Sequence, residues 1–192
     1  MPARATPFLA DHYYHIYNRG VNKAITFFEE ENYRYFVRLL KKNLARYSIR
    51  IVAYCLMPNH FHLLLNPSQN DNLSAFMKSL LGSYSQAINK QRIRQGPLYQ
   101  GRFQSIVVDK EEYLIHLARY IHTNPVNAEM VKSPRDWQYS NYLDIIGRRG
   151  GTLKDSSIVP ERFPTGGEYR KFVEEYWQDT RKLKELEKYL ID

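Results

Sequence analysis

Two stretches with apolar residues at helical spacing, each set between β-rich runs, constrain this chain more tightly than any other feature. Within residues 29–46, Tyr33, Phe36, Val37, Leu40 and Leu44 share one helical face, and Glu29, Glu30 and Glu31 stand near its start, where the helix dipole favours anions. Within residues 73–88, Leu73, Phe76, Met77, Leu80, Leu81, Tyr84 and Ile88 form a second such face. The run Tyr13-Tyr14-His15-Ile16-Tyr17-Asn18 reads as a first strand, stopped by Arg19-Gly20. Residues 49–56 and 61–65 read as strands on either side of the turn signal Met57-Pro58-Asn59, and residues 103–108 as a fourth. A third helix spans about 111–123, ended by Pro125.

The order β-α-β-β-α-β-α predicts an α+β fold on the ferredoxin-like split βαβ plan (βαββαβ), an antiparallel sheet with two helices on one face. The other face is free to carry a site, with an added third helix to cover it. After Gly150-Gly151 the chain turns Ser-, Pro- and Gly-rich as far as Gly167, and a charged helix over about 168–190 follows. Residues 1–150 therefore read as the functional domain and 151–192 as a linker and helix of unassigned role.

The remaining composition narrows the class. With 192 residues, 43% of them hydrophobic and 25% charged, the chain is neither disordered nor collagen-like. One cysteine, Cys55, excludes an intramolecular disulfide framework and a Cys-clustered zinc site, and reads as a small buried hydrophobe. No apolar run approaches the roughly 20 residues needed to span a bilayer, and the first twelve residues lack a signal-peptide core. A soluble, cytoplasmic protein is expected.

Charge is distributed unevenly. The formal net charge is +8, yet residues 32–108 carry eleven Lys or Arg against the single acid Asp71. Such a field suits a nucleic-acid backbone, although a solubilising surface or a phosphometabolite site shares the signature. The 16 tyrosines supply rings of the kind on which single strands stack.

The segment Pro58-Asn59-His60-Phe61-His62-Leu63-Leu64-Leu65 carries the most chemistry. On a strand, His60 and His62 project together while Phe61, Leu63 and Leu65 face the core. Paired imidazoles bind a divalent cation, or an anion when protonated; a bare His-x-His also occurs as two polar residues on an exposed face. On the third helix, Tyr113, His116, Tyr120 and Asn124 make a polar-aromatic stripe beside the apolar Leu114, Leu117, Ala118 and Ile121 that would dock it. A tyrosine beside a metal-bound phosphate can act as a nucleophile; equally, Tyr120 can simply pack its ring and bond its hydroxyl.

Five segments, in order along residues 13–145, resemble the REP-associated tyrosine transposases, single-tyrosine relatives within the HUH endonuclease superfamily. They are Tyr14-His15-Ile16-Tyr17-Asn18-Arg19-Gly20, Met57-Pro58-Asn59-His60-Phe61-His62-Leu63-Leu64, Gly101-Arg102-Phe103, the run from Ala118-Arg119-Tyr120 through Asn124-Pro125-Val126-Asn127-Ala128, and Asp136-Trp137-Gln138-Tyr139-Ser140-Asn141-Tyr142. The resemblance implies that His60 and His62 are paired metal ligands for Mg²⁺ or Mn²⁺. It implies Asn124 as the amide completing the metal shell, with His116 and His122 as rival third ligands. Tyr120 would be the nucleophile that forms a 5′-phosphotyrosine link in single-stranded DNA, with no nucleotide cofactor. Hairpin DNA of REP-like palindromes is the implied partner, no membrane is involved, and the protein would be nucleoid-associated, as a monomer or a homodimer.

With so few acids near the histidines, the metal would be held weakly in the absence of DNA. Arg19, Lys78, Lys90, Arg92, Arg94 and Arg102 are candidate phosphate contacts, and Tyr99 a candidate stacking ring. Two other classes share these features: a non-catalytic DNA- or RNA-binding regulator on the same fold, and a metal-dependent phosphoesterase that uses water in place of tyrosine.

Overall fold

The structure, a computed structural model, describes residues 7–153 and 158–175. Four strands, β1 (Tyr13–Arg19), β2 (Ile49–Met57), β3 (His60–Pro67) and β4 (Gln104–Val108), form one sheet in the order β2-β3-β1-β4. Every neighbouring pair is antiparallel. Helices α1 (Glu30–Arg46) and α2 (Asn72–Gln91) lie on one face, and α3 (Glu111–Asn127) on the other. The split βαβ architecture read from the periodicities is the one observed.

The two cores follow from strand alternation. Ile16, Phe61, Leu63 and Leu65 point toward α1 and α2, where they meet Phe36, Leu40, Phe76, Leu80 and Tyr84. Cys55, Leu64 and Val108 point the other way, onto Leu114, Leu117, Ala118 and Ile121 of α3. Val52 and Ala53, although consecutive, both join this second core, because the β2–β3 register shifts between Ile51 and Ala53. Cys55 is free and buried.

The segment 136–142 closes the outer edge of β2. Leu56 N donates to Tyr139 O at 2.9 Å, Trp137 Nε1 to Leu56 O at 3.2 Å, and Asn141 Nδ2 to Val52 O at 3.1 Å. An edge strand otherwise presents unpaired amides and carbonyls. Tyr139 also stacks on Tyr33 of α1, ring centroids 3.7 Å apart.

Two short helices, α4 (Tyr142–Ile145) and α5 (Ile158–Arg162), precede α6 (Gly166–Glu174). A capping box between Thr165 and Glu168 starts α6. Val159, Tyr169 and Val173 from these elements complete the core around α3. Of the helix expected over 168–190, the part to Glu174 lies in α6, and residues beyond 175 lie outside the described ones.

One boundary corrects the sequence reading. Helix α3 does not end before Pro125 but runs through it to Asn127. Pro125 falls in the last turn of the helix, where it removes the donor that would have met the Ile121 carbonyl and its fixed φ is compatible with helical backbone. The chain closes behind it, with Ala128 N donating to Asn124 O at 3.0 Å and Met130 N to Pro125 O at 2.9 Å. Asn124 is consequently held inside regular helix, and its side chain has a defined direction. Among the described residues, no helix is long and apolar enough to cross a membrane.

Candidate active site

His60 and His62 stand on the α3 face of β3. His60 lies opposite Met57 on one side and Arg19 on the other; His62 lies between Cys55 and Tyr17. Helix α3 crosses above them and presents Tyr120 and Asn124 one turn apart. The Tyr120 ring meets His62 edge-on, with centroids 6.0 Å apart. Asn124 Oδ1 lies 3.3 Å from His60 Nε2. His62, Tyr120 and Asn124 are only 1%, 7% and 8% exposed, so the cluster sits where sheet and helix meet.

Hydrogen bonding fixes what these nitrogens offer. His60 Nδ1 lies 2.6 Å from Asn59 Oδ1, an acceptor, so it carries the proton and donates it. Burial lowers the His60 pKa to about 4, opposed by the Asn124 amide oxygen, which favours a protonated Nε2, and with the Arg19 guanidinium adding to the fall. The neutral ring therefore turns a lone pair on Nε2 toward the amide oxygen of Asn124, and two acceptors face one another. His62 is held neutral as well, by burial and then by the neighbouring His15 and His60. Its Nε2 is buried and has no hydrogen-bond partner among the described residues.

Two imidazole nitrogens and an amide oxygen, with His62 Nε2 lacking a partner among the described residues, fit a divalent cation that takes both N and O donors, such as Mn²⁺, whereas Mg²⁺ would lean on oxygens. Among the described residues no group of three or more His, Cys, Asp or Glu side chains is arranged to hold a metal ion. A cation here would have to draw its other oxygens from water or from a phosphate.

The rival ligands are directed elsewhere. His122 is buried on the opposite flank of α3, with Nδ1 2.8 Å from Tyr169 Oη and Nε2 2.9 Å from Asn141 Oδ1. His116 accepts from Arg119 Nη2 at 2.7 Å and packs against Phe172 of α6. Of the three, Asn124 has its side-chain oxygen beside a sheet histidine, 3.3 Å from His60 Nε2.

The candidate DNA contacts divide by face. Arg19 is brought beside His60, and its Nε is buried with no hydrogen-bond partner among the described residues. Lys78 and Arg102 line a cleft of about 660 Å³ behind α2, on the opposite face of the sheet. Lys90 is exposed near the end of α2; Arg92 pairs with Glu29 at 3.3 Å and covers the Phe28 ring; Arg94 is half-buried. Tyr99 is 5% exposed and sits edge-on to Phe61 in the core, and it lines the same cleft as Lys78 and Arg102.

One residue at the site was not anticipated. His15 is fully buried beside His62, with Nε2 3.0 Å from His62 Nδ1. The alternation that turns Tyr14 and Ile16 toward α1 and α2 already places His15 on the face of the histidine pair.

A split βαβ sheet whose paired histidines lie beneath Tyr120 of the covering helix is the arrangement expected of the single-tyrosine transposases. Residues 9–124 match the family described as "Transposase IS200 like", and the chain belongs to that family. A Haemophilus influenzae protein, provisionally named a REP-associated tyrosine transposase, is 28% identical over 112 residues, 53% of this chain. The match spans 64% of that relative's own length. A solved REP-associated tyrosine transposase bound to a REP hairpin superposes with a TM-score of 0.64 at 19% identity, covering 82% of this chain and 96% of that one, and so shares the fold. A provisionally named transposase from Deinococcus radiodurans is 19% identical, with a TM-score of 0.44 over 64% of this chain and 96% of that one.

Proposed function

We propose that this protein is a DNA transposase that cuts and rejoins single-stranded DNA through Tyr120. The observation that carries the reading is the convergence of Tyr120 and Asn124 from one helix onto His60 and His62, with His62 Nε2 buried and without a hydrogen-bond partner among the described residues. Family membership supplies the reaction class. The hairpin held by the fold relative makes hairpin DNA the candidate substrate here.

In this mechanism Tyr120 Oη attacks a backbone phosphorus in line with the leaving 3′ oxygen. The phosphorus–O3′ bond breaks, the phenolic proton is lost, and O3′ takes up a proton to leave a free 3′ hydroxyl. The 5′ phosphate remains on Tyr120 as a diester, which conserves the energy for rejoining. His60, His62 and Asn124 would hold a divalent ion, which when bound withdraws charge from the phosphate oxygens. Arg19, beside His60, is a candidate for orienting the phosphate, and Lys78, Lys90, Arg92, Arg94 and Arg102 for holding flanking backbone.

Incubation with single-stranded hairpin DNA and Mn²⁺, followed by a denaturing gel, tests this. A protein–DNA adduct is expected, and Tyr120→Phe should lose the adduct and the cleavage while still binding the hairpin. Binding without cleavage by the unaltered protein would favour a regulator. Cleavage that survives Tyr120→Phe would favour a water-using phosphoesterase.

A further inference from the structure

We infer that His15 is a positioning residue for His62, accepting its Nδ1 proton so that the His62 Nε2 lone pair is held toward the site. The inference rests on the metal-ligand reading of His62. The two histidines are diagonal neighbours across β1 and β3: His15 stands opposite Leu64, and His62 opposite Tyr17. At that offset, long side chains on one sheet face reach each other. The rings are near-parallel, with centroids 5.2 Å apart and planes at 20°, and the Nε2–Nδ1 distance is 3.0 Å.

At that distance one proton lies between the two nitrogens, and its owner decides the chemistry of His62. Were His15 the donor, neutral His62 would carry its own proton on Nε2. That N–H would then be buried with no acceptor among the described residues, an unsatisfied donor that costs free energy. It would also block the nitrogen from binding a cation. With His62 as donor the buried Nε2 is a bare lone pair, adjacent to His60, whose ring lies 5.0 Å away. Ligating histidines characteristically give their second N–H to a fixed acceptor, which sets tautomer and ring orientation together. Full burial of His15 holds that acceptor in place, and Tyr17 packs over its ring at 5.3 Å.

The test is long-range ¹H–¹⁵N NMR of the full-length protein labelled at histidine, with MnCl₂ titrated in. The His62 ring is expected to be protonated on Nδ1, and Mn²⁺ should broaden the His60 and His62 signals. His15→Phe, which keeps a ring but removes the acceptor, should shift His62 toward the Nε2–H tautomer and weaken Mn²⁺ binding by about 10- to 100-fold. His15→Gln, whose side-chain oxygen replaces Nε2, should restore both. The tautomer in the unaltered protein is decided without any variant, so poor folding of His15→Phe leaves the test intact. An Nε2–H tautomer of His62 in the unaltered protein overturns the inference. Broadening in the unaltered protein that is unchanged in His15→Phe also overturns it, while leaving the metal reading in place. An Nδ1–H tautomer with no broadening at either histidine overturns the metal reading, and the ligand-positioning role with it.

Discussion

Asn141 Oδ1 lies 2.9 Å from His122 Nε2, so a residue of the edge-closing segment is joined to the helix that carries Tyr120. The same oxygen accepts from Tyr54 N at 2.7 Å, and the Asn141 amide donates to Val52 O. Asn141 and His122 are both fully buried. Truncation to Asn141→Ala therefore strands several buried groups at once. It should cost about 3 kcal/mol, the upper end for one lost buried hydrogen-bonding side chain. Urea unfolding checks this, and a loss below about 1 kcal/mol would mean that water replaces the amide.

His122 also gives the fold a pH dependence of definite sign. Burial lowers its pKa to about 4, against the opposing hydrogen bond to Asn141, whereas in the unfolded chain it titrates near 6.5. Below 6.5 the unfolded state takes up a proton that the folded state refuses. The stabilisation is therefore complete above about pH 6.5 and is lost as the pH falls toward 4, amounting to about 3 kcal/mol. His60 and His62 shift in the same direction. Urea midpoints at pH 7 and pH 4.5 should differ strongly, and less so in His122→Gln. An equal fall in both would assign the effect to other groups.

The architecture and the histidine pair were legible because strand alternation is local. Phe61, Leu63 and Leu65 reach one core and His60 and His62 the opposite face, as period two requires. His15 was not legible as a site residue because its importance depends on the β1–β3 register, which pairs residues 47 apart in sequence. The third ligand was ambiguous for a different reason. At about 100° per residue, His122 is turned about 200° from Tyr120, while His116 and Asn124 lie about 40° from it on opposite sides. Only the docked position of α3 tells which flank meets the sheet. Pro125 was misread as a helix end because the helix continues through it to Asn127.

Gly20 is required for space. Its φ of −61° is open to any residue, but a Cβ would stand 2.0 Å from Ala24 O and 2.9 Å from Thr26 Cγ2. The loop it allows donates Gly20 N to Asn59 O and Thr26 N to Pro58 O, each at 2.8 Å, and Asn59 in turn holds His60. Gly20→Ala should destabilise by about 1–3 kcal/mol, as overpacking does. It should also disturb the His60 resonances, and unchanged spectra with an unchanged urea midpoint would show that the loop yields freely.

Asn124 offers the sharpest control of the cation. Its oxygen faces the His60 Nε2 lone pair at 3.3 Å, and the donor set includes no carboxylate. The unaltered protein is therefore expected to bind Mn²⁺ weakly until DNA adds phosphate oxygens. Replacing the amide by a carboxylate keeps the shape and adds a charge, so Asn124→Asp should tighten Mn²⁺ binding by the DNA-free protein about tenfold, a gain of about 1.4 kcal/mol. The new carboxylate also favours the protonated form of His60, which competes with the cation. The gain should accordingly be larger at pH 8 than at pH 6. Asn124→Ala should weaken binding at both. Isothermal titration with MnCl₂ measures all three proteins, and equal affinity of the Ala and Asp variants would remove Asn124 from the donor set.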